Sequence, residues 1–160
     1  MLNIKVQKFL QVIFVMTTVG YAALSNAHEV GATMDPNGNV AGFTGFALVS
    51  CSSEGNIPTD HFVASIKDTS PPQDNLLVNL QIIHVGNGFN HAISTTDPIS
   101  GDDEFSPPVS VQGGNSSYLL LVNKTGEGAR SFIISYHCQS ADNPPVHTVT
   151  SENPVVYQFE

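Results

Sequence analysis

Charged residues are scarce in this sequence, and basic ones are the scarcest. Charged side chains make up 12% of the 160 residues, about half of the usual share of ~25%. Only 5 are Lys or Arg, against 14 Asp and Glu. No basic stripe is available to neutralise phosphates, which excludes nucleic acid as a partner. The hydrophobic share of 41% can supply a folded core, so a disordered acidic chain is also disfavoured.

Tryptophan and the common catalytic motifs are missing as well. The absence of Trp removes both the buried Trp of immunoglobulin domains and the usual platform on which sugars stack. The sequence contains no Gly-x-Ser-x-Gly elbow, no His-Glu-x-x-His pair and no phosphate-binding glycine loop. Nothing in the sequence therefore indicates catalysis, and a binding or structural role is favoured.

The N-terminal segment has the pattern of a secretory signal peptide. Lys5 and Lys8 form a positive region, and the apolar run of residues 9–19 is too short to span a bilayer comfortably. Small residues stand at the −3 and −1 positions of a cleavage site after Ala27. Cleavage there is predicted, with an uncleaved N-terminal anchor as the alternative.

Processing divides the chain into a signal peptide of residues 1–27 and a single domain of residues 28–160. The mature chain keeps 3 basic and all 14 acidic residues, which gives a net charge of −11. No second apolar run could span a membrane, so we expect a periplasmic or secreted protein. The acidity indicates a cationic partner, a metal ion included, or serves solubility alone.

Two cysteines, Cys51 and Cys138, are predicted to form a disulfide bond in an oxidising compartment. A bridge between them would close a loop of about 87 residues. The alternative, a cysteine metal site, would need further ligands nearby and a reducing environment.

Short alternating runs separated by turn residues predict an all-β fold, a single antiparallel β-sandwich or jelly roll of about seven to nine strands. The strongest runs are residues 46–51, 61–67, 76–85, 117–123, 130–138 and 155–159, and shorter ones are 90–95, 108–112 and 147–150. The glycine-bearing segment between residues 123 and 130 predicts that the two strands beside it form a hairpin.

Residues 113–122 (GGNSSYLLLV) and 131–136 (SFIISY) resemble the closing hairpin of bacterial pre-peptidase C-terminal β-sandwich domains. In that family a Gly-x-Tyr pattern opens one strand, and an aromatic-rich strand follows a glycine turn. The resemblance covers about 25 of the 133 mature residues and implies a compact sandwich without catalysis of its own. This chain departs from the pattern in carrying Cys138.

Histidines supply the first candidate site. Cleavage after Ala27 would make His28 the first residue, whose α-amino group and Nδ1 atom can chelate copper together with a second histidine. His84 and His91 are the candidates for that second ligand, because a Gly- and Asn-rich connection places them at the ends of two adjacent strands. The alternatives are that His28 follows the signal by chance, that His84 is a core-edge side chain and that His91 is a surface one.

An acidic loop supplies the second candidate site. Its four carboxylates lie within eight residues, and oxygen ligands on a loop suit calcium in a calcium-stabilised adhesion module. The spacing does not match an EF-hand, and a solvated turn is the alternative. The four candidate ligands are Asp97, Asp102, Asp103 and Glu104. Glycosylation sequons at Asn115 and Asn123 would matter only in a eukaryotic secretory pathway.

Overall fold

The computed structural model describes residues 27–86, 90–152 and 154–158, and all of its regular elements are β-strands. Every pairing between them is antiparallel, which confirms the predicted all-β class. The predicted signal peptide lies outside the described residues, apart from Ala27. The ten strands are β1 (His28–Met34), β2 (Thr44–Ser52), β3 (His61–Asp68), β4 (Val78–Val85), β5 (Asn90–Thr96), β6 (Val109–Gln112), β7 (Ser117–Lys124), β8 (Arg130–Gln139), β9 (His147–Thr150) and β10 (Val155–Gln158).

The strands form two sheets that meet at one corner. One sheet has the order β6-β3-β8-β1, and the other has the order β5-β4-β7-β2-β10. The short strand β9 pairs with β8 on one side and with β2 on the other, so it joins the two sheets. The result is a sandwich that is closed where β9 joins the two sheets. On the other side, the edge strands β5 and β6 face each other without pairing.

Alternation along each strand builds the core. Strand β8 changes between buried and half-buried at every position, and its inward residues end at Tyr136 and Cys138, which are fully buried. Across the sandwich, Phe62 stacks on Tyr118 with ring centroids 5.0 Å apart. These residues come from both sheets, so the core is the interleaved inner faces of the sandwich.

The predicted hairpin of β7 with β8 is wrong. Strand β7 pairs with β2 and β4, whereas β8 pairs with β1, β3 and β9, so the two strands belong to opposite sheets. Both edges of each strand are already occupied, and residues 125–129 form a crossover between the sheets. Gly128 has a φ of 126°, a conformation that favours glycine, and it packs directly against Leu76.

The disulfide between Cys51 and Cys138 is present and lies at the β9 corner. Cys51 is the register partner of Thr150, and Cys138 is the partner of Thr148, so the two cysteines flank β9 from the two sheets. The hydroxyl oxygens of Thr148 and Thr59 lie 2.6 Å apart in this corner. A covalent bond and a polar network therefore hold the same edge of the sandwich closed.

All three basic side chains in the described residues are ion-paired within the fold. Lys124 Nζ lies 2.6 Å from the Asp35 carboxylate, and Arg130 Nη1 lies 3.1 Å from Asp68. These four side chains are almost completely buried. The third pair, between Lys67 and Asp103 at 3.0 Å, lies at the surface.

Candidate functional site

A groove opens between the edge strands β5 and β6, on the side where the two sheets are not joined. Its volume is about 530 Å³. Three consecutive residues of each strand line it, together with His61, the first residue of β3, and Asp60 just before it. The lining residues are Asp60, His61, His91, Ala92, Ile93, Ser110, Val111 and Gln112.

Ile93 shows that the sandwich is incomplete at this groove. Its register partner Ile82 is fully buried, so Ile93 also points toward the space between the sheets. Nevertheless Ile93 is 38% exposed. At the far end of β5 the groove closes, where Thr95 Oγ1 donates a hydrogen bond to the Pro107 carbonyl at 2.9 Å. The two sheet edges therefore diverge from a contact point and leave an apolar side chain accessible between them.

Asp60 and His61 form the polar end of the groove. The Asp60 carboxylate lies 2.9 Å from His61 Nδ1, and His61 Nε2 lies 2.9 Å from the side-chain oxygen of Gln139. The backbone fixes this position, because the Asp60 carbonyl accepts hydrogen bonds from the amides of Gly113 and Gly114. The backbone therefore holds Asp60 in place, and its carboxylate faces the groove.

Burial, reinforced by the negative charge of Asp60, raises the pKa of Tyr118 to about 12. The Tyr118 hydroxyl is therefore neutral at ordinary pH, and it donates a hydrogen bond to the Gly114 carbonyl at 2.9 Å. The same glycine turn thus ties Tyr118 and Asp60 together. Of these two groups, the Asp60 carboxylate rather than the Tyr118 hydroxyl is the anionic one.

Two of the three predicted copper ligands are neighbours. His84 and His91 are register partners on β4 and β5, as the sequence predicted, and their ring centroids lie 6.4 Å apart. His28 lies on β1 in the opposite sheet, with its ring 5.7 Å from that of Tyr136. Within the described part of the chain, no three His, Cys, Asp or Glu side chains are grouped to hold a metal ion. The copper site remains a prediction.

His84 is held as a core-edge side chain. It is 9% exposed, its Nε2 lies 3.0 Å from Ser116 Oγ, and its ring lies 5.3 Å from that of Tyr118. A Cβ atom at Gly113 would come within 2.7 Å of the imidazole, so the glycine lets the ring sit against the backbone. His91, in contrast, is exposed and lines the groove.

The acidic loop does not turn its carboxylates toward one point. Asp97 is buried and accepts hydrogen bonds from the backbone amides of Asp68 and Ile99, and desolvation raises its pKa. Asp103 pairs with Lys67, while Asp102 accepts a hydrogen bond from the Glu104 amide. Asp97 is therefore a structural anchor for the loop. The calcium site remains a prediction.

The asparagine side chains of both sequons already make hydrogen bonds within the fold. Asn115 accepts a hydrogen bond from the Thr59 amide and donates one to Ser53 Oγ at 2.8 Å. Asn123 Oδ1 accepts a hydrogen bond from the Asn79 side chain at 2.7 Å. A glycan at either position would compete with these contacts.

A stacked histidine pair was missed by the sequence analysis. His137 and His147 lie on adjacent strands with ring centroids 4.3 Å apart and ring planes 10° from parallel. Burial, with smaller contributions from His147, His61 and His28, lowers the pKa of His137 to about 4. His137 lies at a half-buried position of β8, and only the pairing of β8 with β9 shows its partner.

Acid should destabilise the protein through His137. Its folded pKa of about 4 lies below the ordinary 6.5, so the unfolded state binds a proton first as pH falls. The stability that neutral His137 confers is complete above pH 6.5 and is lost between pH 6.5 and 4. We expect a loss of about 1–3 kcal/mol across this window, measured by urea unfolding at several pH values.

The variant His137→Phe keeps a neutral ring in the stack and removes the titration. The difference between this variant and the wild type isolates His137 from the carboxylates that titrate at lower pH. An unchanged slope of stability against pH between 6.5 and 4 in the variant would refute the assignment.

Comparisons of the chain with family models, with curated proteins and with solved structures found no match.

Proposed function

We propose that this chain is an exported binding module that takes a cationic ligand in the groove between β5 and β6. The observation that carries the proposal is the groove itself, which combines the rigid carboxylate of Asp60 with the accessible side chain of Ile93. A concave site with a few fixed polar groups beside apolar ones is the usual form of a ligand site.

The distribution of charge supports a cation as the ligand. The three basic side chains of the described residues are already paired with Asp35, Asp68 and Asp103. The remaining charged side chains of that part of the chain are carboxylates, so its net charge is negative. A negative field attracts cations and raises their local concentration near a cleft.

Two features support export. The disulfide between Cys51 and Cys138 is typical of proteins in oxidising compartments. The predicted signal peptide of residues 1–27 would deliver the chain to the periplasm or the outside of the cell. In the described ranges no helix is long and apolar enough to cross a membrane.

The contacts of His61 favour binding over catalysis in this groove. Ser110 lines the groove and could serve as a nucleophile only with a base beside it. His61 uses both ring nitrogens, one toward Asp60 and one toward Gln139. The Asp60–His61 pair thus works as a fixed electrostatic feature that holds a ligand.

Asp60→Asn tests the proposal with spermidine and acetyl-lysine amide as probes. In the wild type, both probes should shift the NMR signals of residues 91–93 and 110–112. Loss of the carboxylate removes a charge-assisted contact, so affinity should fall by about tenfold or more.

The matched control is Glu127→Gln. This variant removes the same charge from an exposed turn beside the opposite end of β8. It should leave binding of both probes almost unchanged. Equal losses in the two variants would mean that only the net charge matters, and they would refute a site at the groove.

A further inference from the structure

We infer that two copies of this chain form a dimer through the outer face of the sheet that contains β2, β4, β5 and β7. The outer face consists of the outward positions of these four strands, which alternate with inward core positions. On β5 this face bears Ala92, whereas Ile93 points the other way, toward the space between the sheets. The inference therefore goes beyond the proposed function and does not depend on it.

Apolar side chains form one continuous row across the outer face. Leu119 on β7 is the register partner of Leu48 on β2 and of Ile83 on β4. Ile83 is in turn the partner of Ala92 on the edge strand β5. The three larger side chains are half-buried, and Ala92 is exposed. Cross-strand partners lie about 5 Å apart, so these four residues, the apolar row, make a band roughly 15 Å long.

Charge is missing from the outer face, although the mature chain has a net charge of −11. Strands β2, β4 and β5 contain no Lys, Arg, Asp or Glu, and β7 contains only Lys124, which points inward and pairs with Asp35. The outer face of the other sheet, in contrast, carries Glu29 and Lys67.

The lack of charge favours a second copy as the occupant of this face. Contact between two such faces would bury no ion, and the cores of protein interfaces are depleted in charged residues. A lipid surface would instead favour Lys, Arg or Trp, and the outward positions of these four strands carry none of them.

The polar side chains of the outer face already bond to one another. The Asn79 amide donates a hydrogen bond to Asn123 Oδ1 and accepts one from Thr96 Oγ1, both at 2.7 Å. Two further bonded pairs are Gln81 with Ser94 and Ser50 with Ser117. Burial of a polar group is costly mainly when its hydrogen bonds are lost. A partner can therefore cover this face at little cost in hydrogen bonding.

The outer face is large enough for a weak dimer. Four strands at a spacing of about 4.8 Å, each of about seven residues, give a flat area of roughly 450 Å² per copy. Two such faces would bury roughly 900 Å² measured flat and more as accessible surface, close to the lower bound of about 1,200 Å² for specific interfaces. Packed sheets lie about 10 Å apart at an angle near 30°, so a two-fold axis would set one apolar row across the other.

Salt should strengthen this dimer. Two copies that each carry a net charge of −11 repel one another at low ionic strength, and ions screen that repulsion. The contact itself contains no ion pair that salt would weaken. We expect the dissociation constant of the mature chain to fall about threefold or more between about 20 and 500 mM sodium chloride, measured by sedimentation equilibrium from about 1 μM to 1 mM protein.

Leu119→Glu places two carboxylates in the dimer interface and should raise the dissociation constant by about tenfold or more. The matched control is Ile133→Glu, because Ile133 is a half-buried outward residue on β8, in the other sheet. It adds the same charge and should dimerise like the wild type. Leu119→Thr keeps a residue suited to a strand and should weaken the dimer by about threefold or more. Thermal unfolding checks that each variant folds.

Side-chain NMR locates the interface. A soluble paramagnetic agent should broaden the methyl signals of Leu48, Ile83 and Leu119 in dilute samples and spare them in concentrated ones. A chain that stays monomeric up to about 1 mM would overturn the inference. A dimer that Leu119→Glu and Ile133→Glu weaken equally, or that salt weakens, would also overturn it. So would a monomer whose apolar row binds phosphatidylcholine vesicles.

Discussion

Replacement of both Cys51 and Cys138 by alanine should lower the melting temperature by roughly 10–20 °C. The bridge closes a separation of 87 residues, and the chain-entropy model gives about 4–5 kcal/mol for a loop of that size. Both cysteines are at most 5% exposed and flank β9. Their loss therefore frees the corner at which the two sheets are joined.

Calorimetry of the double variant, and of the wild type under reducing conditions, measures this effect. Because the missing covalent link is the common cause, the two samples should melt at similar temperatures. A decrease of only a few degrees in both would mean that β9 and its threonine contacts hold the corner without the disulfide.

The variant Arg130→Met should lose about 3–5 kcal/mol of stability, because it leaves a carboxylate buried without its partner. The guanidinium contacts Asp68 at 3.1 Å, Gln73 at 2.7 Å and Ser100 at 3.0 Å, and it is 4% exposed. Met fills similar space but supplies no donor. Urea unfolding at neutral pH gives the free energy directly.

Two further variants test whether burial of the ion pair causes the loss of stability in Arg130→Met. Lys67→Met breaks an ion pair whose acidic partner, Asp103, is 74% exposed, and it should cost less than about 1 kcal/mol. The double variant Asp68→Asn, Arg130→Met should recover part of the lost stability, since no charge is then left unpaired. If Arg130→Met and Lys67→Met lower the free energy of unfolding by the same amount, burial of the Arg130–Asp68 pair is not the cause of the loss.

The strand pattern was largely predictable from the sequence. Nine of the ten strands fall where alternating runs predicted them, because one buried face of a sheet imposes a period of two on its residues. Strand β1 was missed. It is an edge strand whose inward residues Val30 and Ala32 are only half-buried, so its apolar pattern is weak.

Pairing between strands was less predictable. The β7–β8 hairpin was wrong, because a glycine-rich turn can connect two strands of one sheet or cross between two sheets. Which of the two occurs depends on the strands that pair with β7 and β8, and most of those strands are distant in the sequence.

The candidate site was likewise only partly predictable from the sequence. The neighbourhood of His84 and His91 was found, because a short connection joins their strands. The groove was not found, because β5 and β6 belong to different sheets and the groove depends on how far apart these sheets stand. The exposure of Ile93 has no signal in the sequence, where it looks like any inward-facing isoleucine.

The ion pairs of the basic residues also determine how a protease cleaves the folded protein. Trypsin cuts after Lys and Arg, and in the described part of the chain these residues are Lys67, Lys124 and Arg130, all within strands. Lys124 ends β7 and Arg130 begins β8, and both side chains are buried and ion-paired. Cleavage after either residue therefore requires its side chain to leave a buried ion pair, and the rate of tryptic digestion there reports opening of this end of β7 and β8 rather than motion of the exposed connection alone.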